Sequence, residues 1–237
     1  ACGVLGPMVA GRGLGHTGGT VDKLEAVRGL CGELPLARLQ AQVRAVGLAI
    51  CGQTPQIAPA DGRIYALRDV TCTVESIPLI AASIMSKKLA EGLDALVMDV
   101  KCGRGAFMRE QARARELART IASIGAAHGV AVTALVTSMD QPLGGCAGNA
   151  VEIEEACALL RGEIPARTKD VRDLSLELAA HLVLRAGVAE DAGAARGMVL
   201  AALESGRAFE LFCRMVAAPG GDAALLERPG LLPQAAE

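Results

Sequence analysis

The chain has 237 residues, a formal net charge of −2 at neutral pH and a hydrophobic fraction of 51%. This length and this composition suffice for a substantial buried core, arranged as one large domain or two smaller ones. The near-neutral charge gives no basic surface for nucleic acid, and an aromatic content of 2% gives no platform for stacked bases, so we expect no nucleic acid partner.

Eight cysteines and three histidines are scattered along the chain. They form no C-x-x-C pair and no cysteine–histidine spacing typical of zinc, so we expect free thiols rather than a zinc site or a disulfide framework. No apolar run reaches the length of a membrane span, and the first residues carry no signal-peptide pattern. These features predict a cytoplasmic protein without a membrane partner.

A glycine-rich segment from Gly11 to Glu25, GRGLGHTGGTVDKLE, follows a short strand-like run at 7–10. Glycine is favoured where the backbone needs positive φ or where main-chain N–H groups must approach an anion. We therefore predict a phosphate-binding loop, with main-chain donors close to the anion. For His16, inside this loop, a structural hydrogen bond is the favoured interpretation over proton transfer.

The same glycines also satisfy the G-x-G-x-x-G fingerprint of dinucleotide-binding proteins. That fingerprint requires a full helix, a second strand and an acidic residue about 20 positions further on. Here the helix predicted over 21–27 ends at Gly29, and no strand precedes Glu33. Dinucleotide binding is therefore the weaker interpretation.

Further along, apolar runs alternate with segments of helical periodicity. The runs predict strands over 43–51, 93–100 and 130–136, and the periodic segments predict helices over 111–128, 150–160, 171–186 and 192–203. Such alternation is typical of an α/β fold with a mostly parallel sheet flanked by helices.

Between Val70 and Glu91 the pattern changes to two successive helices broken at Pro78, which suggests a separate packing unit. Ile80, Ser83 and Lys87 share one face of the second helix, so one ligand could contact all three. The residues alone leave a second interpretation open, in which Lys87 and its neighbour are solvated cations near a helix C-terminus.

Three separated blocks occur in the order found in one enzyme family. They are residues 11–25, the run from Tyr65 to Phe107, and QPLGGCAGNAVEIEEA over 141–156. Together they resemble the thymidine and pyrimidine nucleoside phosphorylases, strongly to about Arg161 and loosely beyond it. The resemblance implies a pentosyltransferase that converts thymidine and phosphate to thymine and 2-deoxyribose 1-phosphate, with phosphate as co-substrate and no required cofactor. It also implies a homodimer when complete, with small-molecule substrates.

The resemblance further implies a domain division. Residues 1–60 would belong to an α/β phosphate-binding domain, 61–92 to a helical insert of a second, smaller α domain, and 93–237 to the rest of the α/β domain. Relatives begin well before Ala1 and carry an upstream Lys-His-Ser-Thr-Gly-Gly phosphate loop. We therefore expect a fragment that lacks both terminal parts and is inactive by itself.

Site residues carry over from the family position by position. Arg68, Ser83 and Lys87 would hold the imide and carbonyl edge of the pyrimidine, with Arg68 and Lys87 as the catalytic cations. The other positions expected to line the base and sugar pocket are Leu14, Tyr65, Ile80 and Phe107.

Phosphate and metal positions also match. Thr20 would contact phosphate, whereas Ala10 replaces a serine that most members use for the same purpose, so we expect weakened phosphate binding. Leu143, Cys146 and Glu155 match a structural metal site in some bacterial members. For Glu155, a favourable charge at a helix N-terminus is an equal alternative.

Two other functions remain open. An anthranilate phosphoribosyltransferase-like enzyme would share the two-domain design but not the arrangement of Arg68, Ser83 and Lys87. A non-catalytic dimerisation or regulatory module with the same fold would also be compatible with Ala10.

Overall fold

A computed structural model of the chain describes residues 1–13, 18–228 and 230–233. The predictions for Leu14 and His16 therefore lie outside the described residues. Within these ranges the chain alternates strands with helices, which confirms the predicted α/β class.

Four strands are arranged as two parallel pairs. β1 (Gly6–Ala10) pairs with β2 (Leu48–Gly52), with Val9 opposite Cys51. β3 (Ala95–Cys102) pairs with β4 (Ala131–Ser138), with Asp99 opposite Leu135. All pairing is parallel, as predicted, but within the described ranges it forms two small sheets rather than one continuous sheet.

The helices account for most of the remaining chain. In chain order they are α1 (Thr20–Leu24), α2 (Leu36–Val46), α3 (Pro59–Val70), α4 (Ile77–Ala90), α5 (Gln111–Ala127), α6 (Asn149–Leu160), α7 (Lys169–Arg185), α8 (Ala192–Glu204) and α9 (Arg207–Ala217). Two short 3₁₀ segments lie at Ala166–Thr168 and Ala223–Leu226. The helix α9, which the sequence reading missed, buries Met215 and Val216.

Two predicted boundaries were wrong. The strand predicted over 43–51 starts only at Leu48, because α2 continues to Val46 and ends at Gly47 in a left-handed conformation with φ 89°. The helix predicted to start at Val70 in fact ends there, and Cys72 takes a φ of 53° in the following turn. Pro78 does lie in the first turn of α4, where a missing N–H costs little.

The largest core lies between α4, the sheet β3–β4 and α5. One face of β3, including Leu96 and Val100, packs with Met85 from α4 and Ile121 from α5. Met85 and Ile121 are 1% and 0% exposed, respectively, so α4 is held firmly against this layer. The helix that carries Ser83 and Lys87 therefore has a rigid support, although the predicted assignment of 61–92 to a separate domain stays a prediction.

All eight cysteines are free thiols, as the scattered pattern predicted. Burial raises the pKa of Cys51 and of Cys157 to about 11, so both thiols remain protonated and unreactive at neutral pH. As for membrane spans, none of the helices within the described ranges is both long and apolar enough to cross a bilayer.

Candidate active site

The face that α3 turns toward α4 carries Asp61, Tyr65 and Arg68, at i, i+4 and i+7. The opposing face of α4 carries Ser83 and Lys87. Ionisable side chains are rarely buried without partners, yet Asp61 and Lys87 are each only 7% exposed and Arg68 is 4% exposed. The interpretation of Lys87 as a solvated cation is therefore wrong.

The ammonium of Lys87 is fully engaged within this cluster. Its Nζ lies 2.7 Å from Oδ2 of Asp61 and 3.0 Å from Oγ of Ser83, and it also donates to the main-chain carbonyl of Ser83. An ammonium has three donors, so these contacts satisfy it completely. This pairing explains how a lysine can be buried between two helices.

Arg68 is less completely satisfied. Its Nη2 donates to the carbonyl of Val74, whereas its buried Nε has no hydrogen-bond partner among the described residues. A buried donor without a partner is costly, and such groups are common where a ligand completes the bonding. Arg68 is therefore the cation in this cluster that can still donate a hydrogen bond to a ligand.

Tyr65 has both cations close to its ring. Its ring centroid is 5.5 Å from Nζ of Lys87 and 5.9 Å from Cζ of Arg68, distances at which a cation is attracted to an aromatic face. Burial raises the pKa of the Tyr65 hydroxyl, which therefore stays protonated near neutral pH. The structure thus brings together four predicted site residues, Tyr65, Arg68, Ser83 and Lys87.

Tyr65 also connects this cluster to the glycine-rich segment. Its hydroxyl donates a long hydrogen bond of 3.4 Å to the carbonyl of Arg12. A Cβ atom added at Gly11 would lie 3.3 Å from that hydroxyl, so only glycine lets the two segments approach without adjustment. The cluster that contains Tyr65 is therefore a neighbour of the first residues of the glycine-rich segment.

The described ends of the glycine-rich segment are closely packed. A Cβ atom at Gly19 would lie 2.6 Å from the backbone of both Arg12 and Gly13. The carboxylate of Asp22 accepts hydrogen bonds from the N–H groups of Gly13 at 2.8 Å and of Gly19 at 2.9 Å, and these bonds hold its pKa below its usual range. These two amides are thus satisfied within the protein, and the approach of main-chain donors to an anion stays a prediction for the rest of the segment.

The two other predicted pocket residues that the structure describes, Ile80 and Phe107, lie outside the buried cluster. Phe107 follows β3 and is 48% exposed, whereas Ile80 packs on the core between α4 and α5. Thr20 is exposed as the first residue of α1. Leu14 lies beyond the described ranges, as noted above.

The three predicted metal ligands line one cavity of about 930 Å³. Glu155 lies in the second turn of α6 and its Oε1 accepts the N–H of Gly145 at 2.7 Å, so the alternative of a helix N-terminal charge is wrong for this residue. Glu152 occupies the first turn instead. No group of three histidine, cysteine, aspartate or glutamate side chains suited to a metal occurs within the described residues. A cation near Glu155 would therefore depend on main-chain carbonyls, which suit Ca²⁺-like ions.

Sequence reasoning missed two acidic residues beside this site. Asp61 could have been found from its spacing to Tyr65 and Arg68 on one helix face. Glu91 gave no such signal. Its Oε1 lies 2.7 Å from Nζ of Lys88 and accepts the N–H of Val9 at 2.8 Å, while burial raises the pKa of its carboxyl. This contact ties the end of α4 to β1, directly before the glycine-rich segment.

Comparison with known proteins adds independent evidence. Residues 1–209 match the family described as "Glycosyl transferase family, a/b domain". The chain is 52% identical over 229 residues to proteins named thymidine phosphorylase from Burkholderia cenocepacia (strain HI2424) and Burkholderia orbicola (strain AU 1054). It is 51% identical to one from Burkholderia lata.

Each alignment covers 97% of this chain and 52% of the relative, so the chain spans about half the length of the curated relatives it matches. The match confirms the resemblance found in the sequence, and the chain belongs to the glycosyl transferase family through its a/b domain.

Proposed function

We propose that the complete protein is a pyrimidine nucleoside phosphorylase, which converts thymidine and phosphate to thymine and 2-deoxyribose 1-phosphate. The observation that carries this proposal is the buried cluster of Arg68, Ser83 and Lys87 around Tyr65, next to the glycine-rich segment. The similarity to thymidine phosphorylases of Burkholderia supports the same substrate class.

In the proposed reaction, a phosphate oxygen forms a bond to C1′ of the sugar while the bond from C1′ to the pyrimidine nitrogen breaks. The bonding electron pair leaves with the base, which becomes negatively charged as the sugar gains oxocarbenium character. The proton that the attacking hydrogen phosphate carried then passes to the base, which gives neutral thymine and 2-deoxyribose 1-phosphate. The hydroxyl of Ser83 accepts the imide N–H of the base, while Arg68 and Lys87 donate to the carbonyl oxygens of the base. These groups stabilise the charged leaving group more than the neutral substrate, and this difference accelerates the reaction.

Phosphate would bind at the glycine-rich segment, with Thr20 supplying a hydroxyl. The guanidinium of Arg12 does not serve this purpose, because it pairs with Glu25 at 2.7 Å and with Asp22 at 3.0 Å. The remaining positive charge would come from elsewhere in the complete protein. Leu143, Cys146 and Glu155 are proposed to hold a structural cation, and the complete protein is proposed to be a homodimer.

Ala10 ends β1 directly before Gly11, where most relatives are expected to have a serine. We expect Ala10→Ser in the complete protein to lower the KM for phosphate by up to about tenfold, because one neutral hydrogen bond is worth about 1 kcal/mol. Steady-state kinetics with phosphate as the varied substrate would measure this change. Ala10→Cys is the matched control, since a thiol of similar size is a weak donor. An unchanged KM for phosphate in the serine variant would contradict the assignment of position 10 to the phosphate site.

The proposed function is tested by phosphate-dependent release of thymine from thymidine, using the protein expressed from its complete reading frame. Uridine tested in parallel gives the breadth of the substrate range. Phosphoribosyl pyrophosphate with anthranilate tests the alternative transferase. Folded protein that is inactive in every assay would favour the non-catalytic alternative.

A further inference from the structure

Asp61 has no part in the proposed chemistry, yet it is among the least exposed ionisable residues described. Its carboxylate lies 2.7 Å from Nζ of Lys87, and the two side chains are 5% and 9% exposed, respectively. Removing a carboxylate from water is expensive, and a buried ion pair is weak evidence for stability by itself. A pair placed against the site side chains therefore calls for a functional explanation.

The contacts of Lys87 show what Asp61 can do. Lysine has a long, flexible side chain, and its ammonium could take many positions near α3. The contacts with Asp61 and with both oxygens of Ser83 restrict it to one position, 5.5 Å from the centroid of the Tyr65 ring. Asp61 supplies the only contact of the three that comes from α3, so it sets the position of the ammonium across the space between the helices.

Asp61 also determines the charge that a ligand meets. The cluster contains two cations, Arg68 and Lys87, and one carboxylate, Asp61, which leaves a net charge of +1. Such a charge suits a base that leaves with one negative charge. Without Asp61, two neighbouring cations would be buried with no counter-ion among the described side chains of this cluster, and the lysine would lose the partner that holds it.

We propose that Asp61 is a positioning residue for Lys87, which holds the ammonium in place for the pyrimidine edge and matches the site to a singly charged leaving group. This inference rests on the proposed function. When the base enters, one N–H of Lys87 that donates to Ser83 donates to the base instead. The contact to Asp61 remains and keeps the ammonium in the same position.

The first test is kinetic and uses the complete protein. We expect Asp61→Asn to lower kcat/KM for thymidine by about 10- to 100-fold, by analogy with the loss found when a partner that orients a metal ligand is removed. In this variant kcat should fall and KM for thymidine should rise, and Asp61→Glu should restore part of the lost kcat/KM. Asp94→Asn, the same change at an exposed residue, should have no effect. A loss in Asp61→Asn that merely reflects fewer folded molecules would leave KM unchanged and would contradict the proposal.

Dependence on Lys87 is tested by a double-mutant cycle. In a Lys87→Met background, Asp61→Asn should change kcat/KM by no more than about twofold, because Asp61 would then have no ammonium to position. If the two losses multiply, Asp61 acts independently of Lys87 and the proposal is wrong.

A second readout does not depend on turnover. Lysines are labelled with an amine-reactive reagent in the wild type and in Asp61→Asn, and the labelling rate of each lysine is measured by mass spectrometry. Lys87 should react faster in the variant, while Lys88, held by Glu91, should not change. Equal rates at Lys87 would overturn the proposal whatever the activity. A wild type without phosphorolysis that still shows this contrast would reject the proposed function and retain the role of Asp61 in holding Lys87.

Discussion

Replacing Arg68 by alanine in the complete protein should lower kcat for thymidine phosphorolysis by about 100- to 1,000-fold, the effect typical of removing one donor that stabilises developing negative charge. Arg68 is 4% exposed, and its Nε has no partner among the described residues, so a ligand can gain a hydrogen bond there. Because the charge on the base develops mainly in the transition state, kcat should fall more than the KM for thymidine rises. Steady-state kinetics at saturating phosphate would measure both constants.

Arg63→Ala is the matched control for Arg68→Ala. Arg63 lies on the same helix, α3, but is exposed. The control should retain wild-type kinetics, and circular dichroism should show that both variants are folded. Equal losses in the two variants would indicate a general effect of charge, and an active Arg68→Ala variant would remove Arg68 from the base-binding site.

The second large effect concerns the core packing of α4, the helix that carries Ser83 and Lys87. Met85 lies on α4 between Ser83 and Lys87 on the chain and is 1% exposed within the core formed with β3, β4 and α5. We expect Met85→Ala to lower the free energy of unfolding by about 2–5 kcal/mol, since it removes buried apolar surface and leaves a cavity. The higher helix propensity of alanine offsets only a few tenths of a kcal/mol.

Urea denaturation of the chain, followed by circular dichroism, would measure this loss. Met8→Ala is the control, because Met8 is 38% exposed on β1 and should lose much less stability. A fall in the midpoint with an unchanged slope indicates a change in stability alone. Comparable losses at the two positions would contradict the view that α4 is anchored through Met85.

The sequence by itself determined features that depend on local pattern. Parallel α/β architecture followed from the alternation of apolar runs and helical periodicity, and α5 was predicted to within one residue. Positions 83 and 87 could be placed on one helix face because that relation depends only on the helical repeat. The family also followed from residue order alone, since three separate motifs are a stronger signal than one.

Other features were decided only by tertiary structure. The ion pair between Asp61 and Lys87 joins residues on two helices, and no spacing rule predicts which carboxylate a lysine will meet. The sequence predicted main-chain donors near an anion in the glycine-rich segment, but only the structure shows that Asp22 accepts the amides of Gly13 and Gly19. In both cases the outcome depends on which polar groups lose contact with water together. Packing in three dimensions determines which partner each group finds, because each buried charge or donor must bond to one of its spatial neighbours.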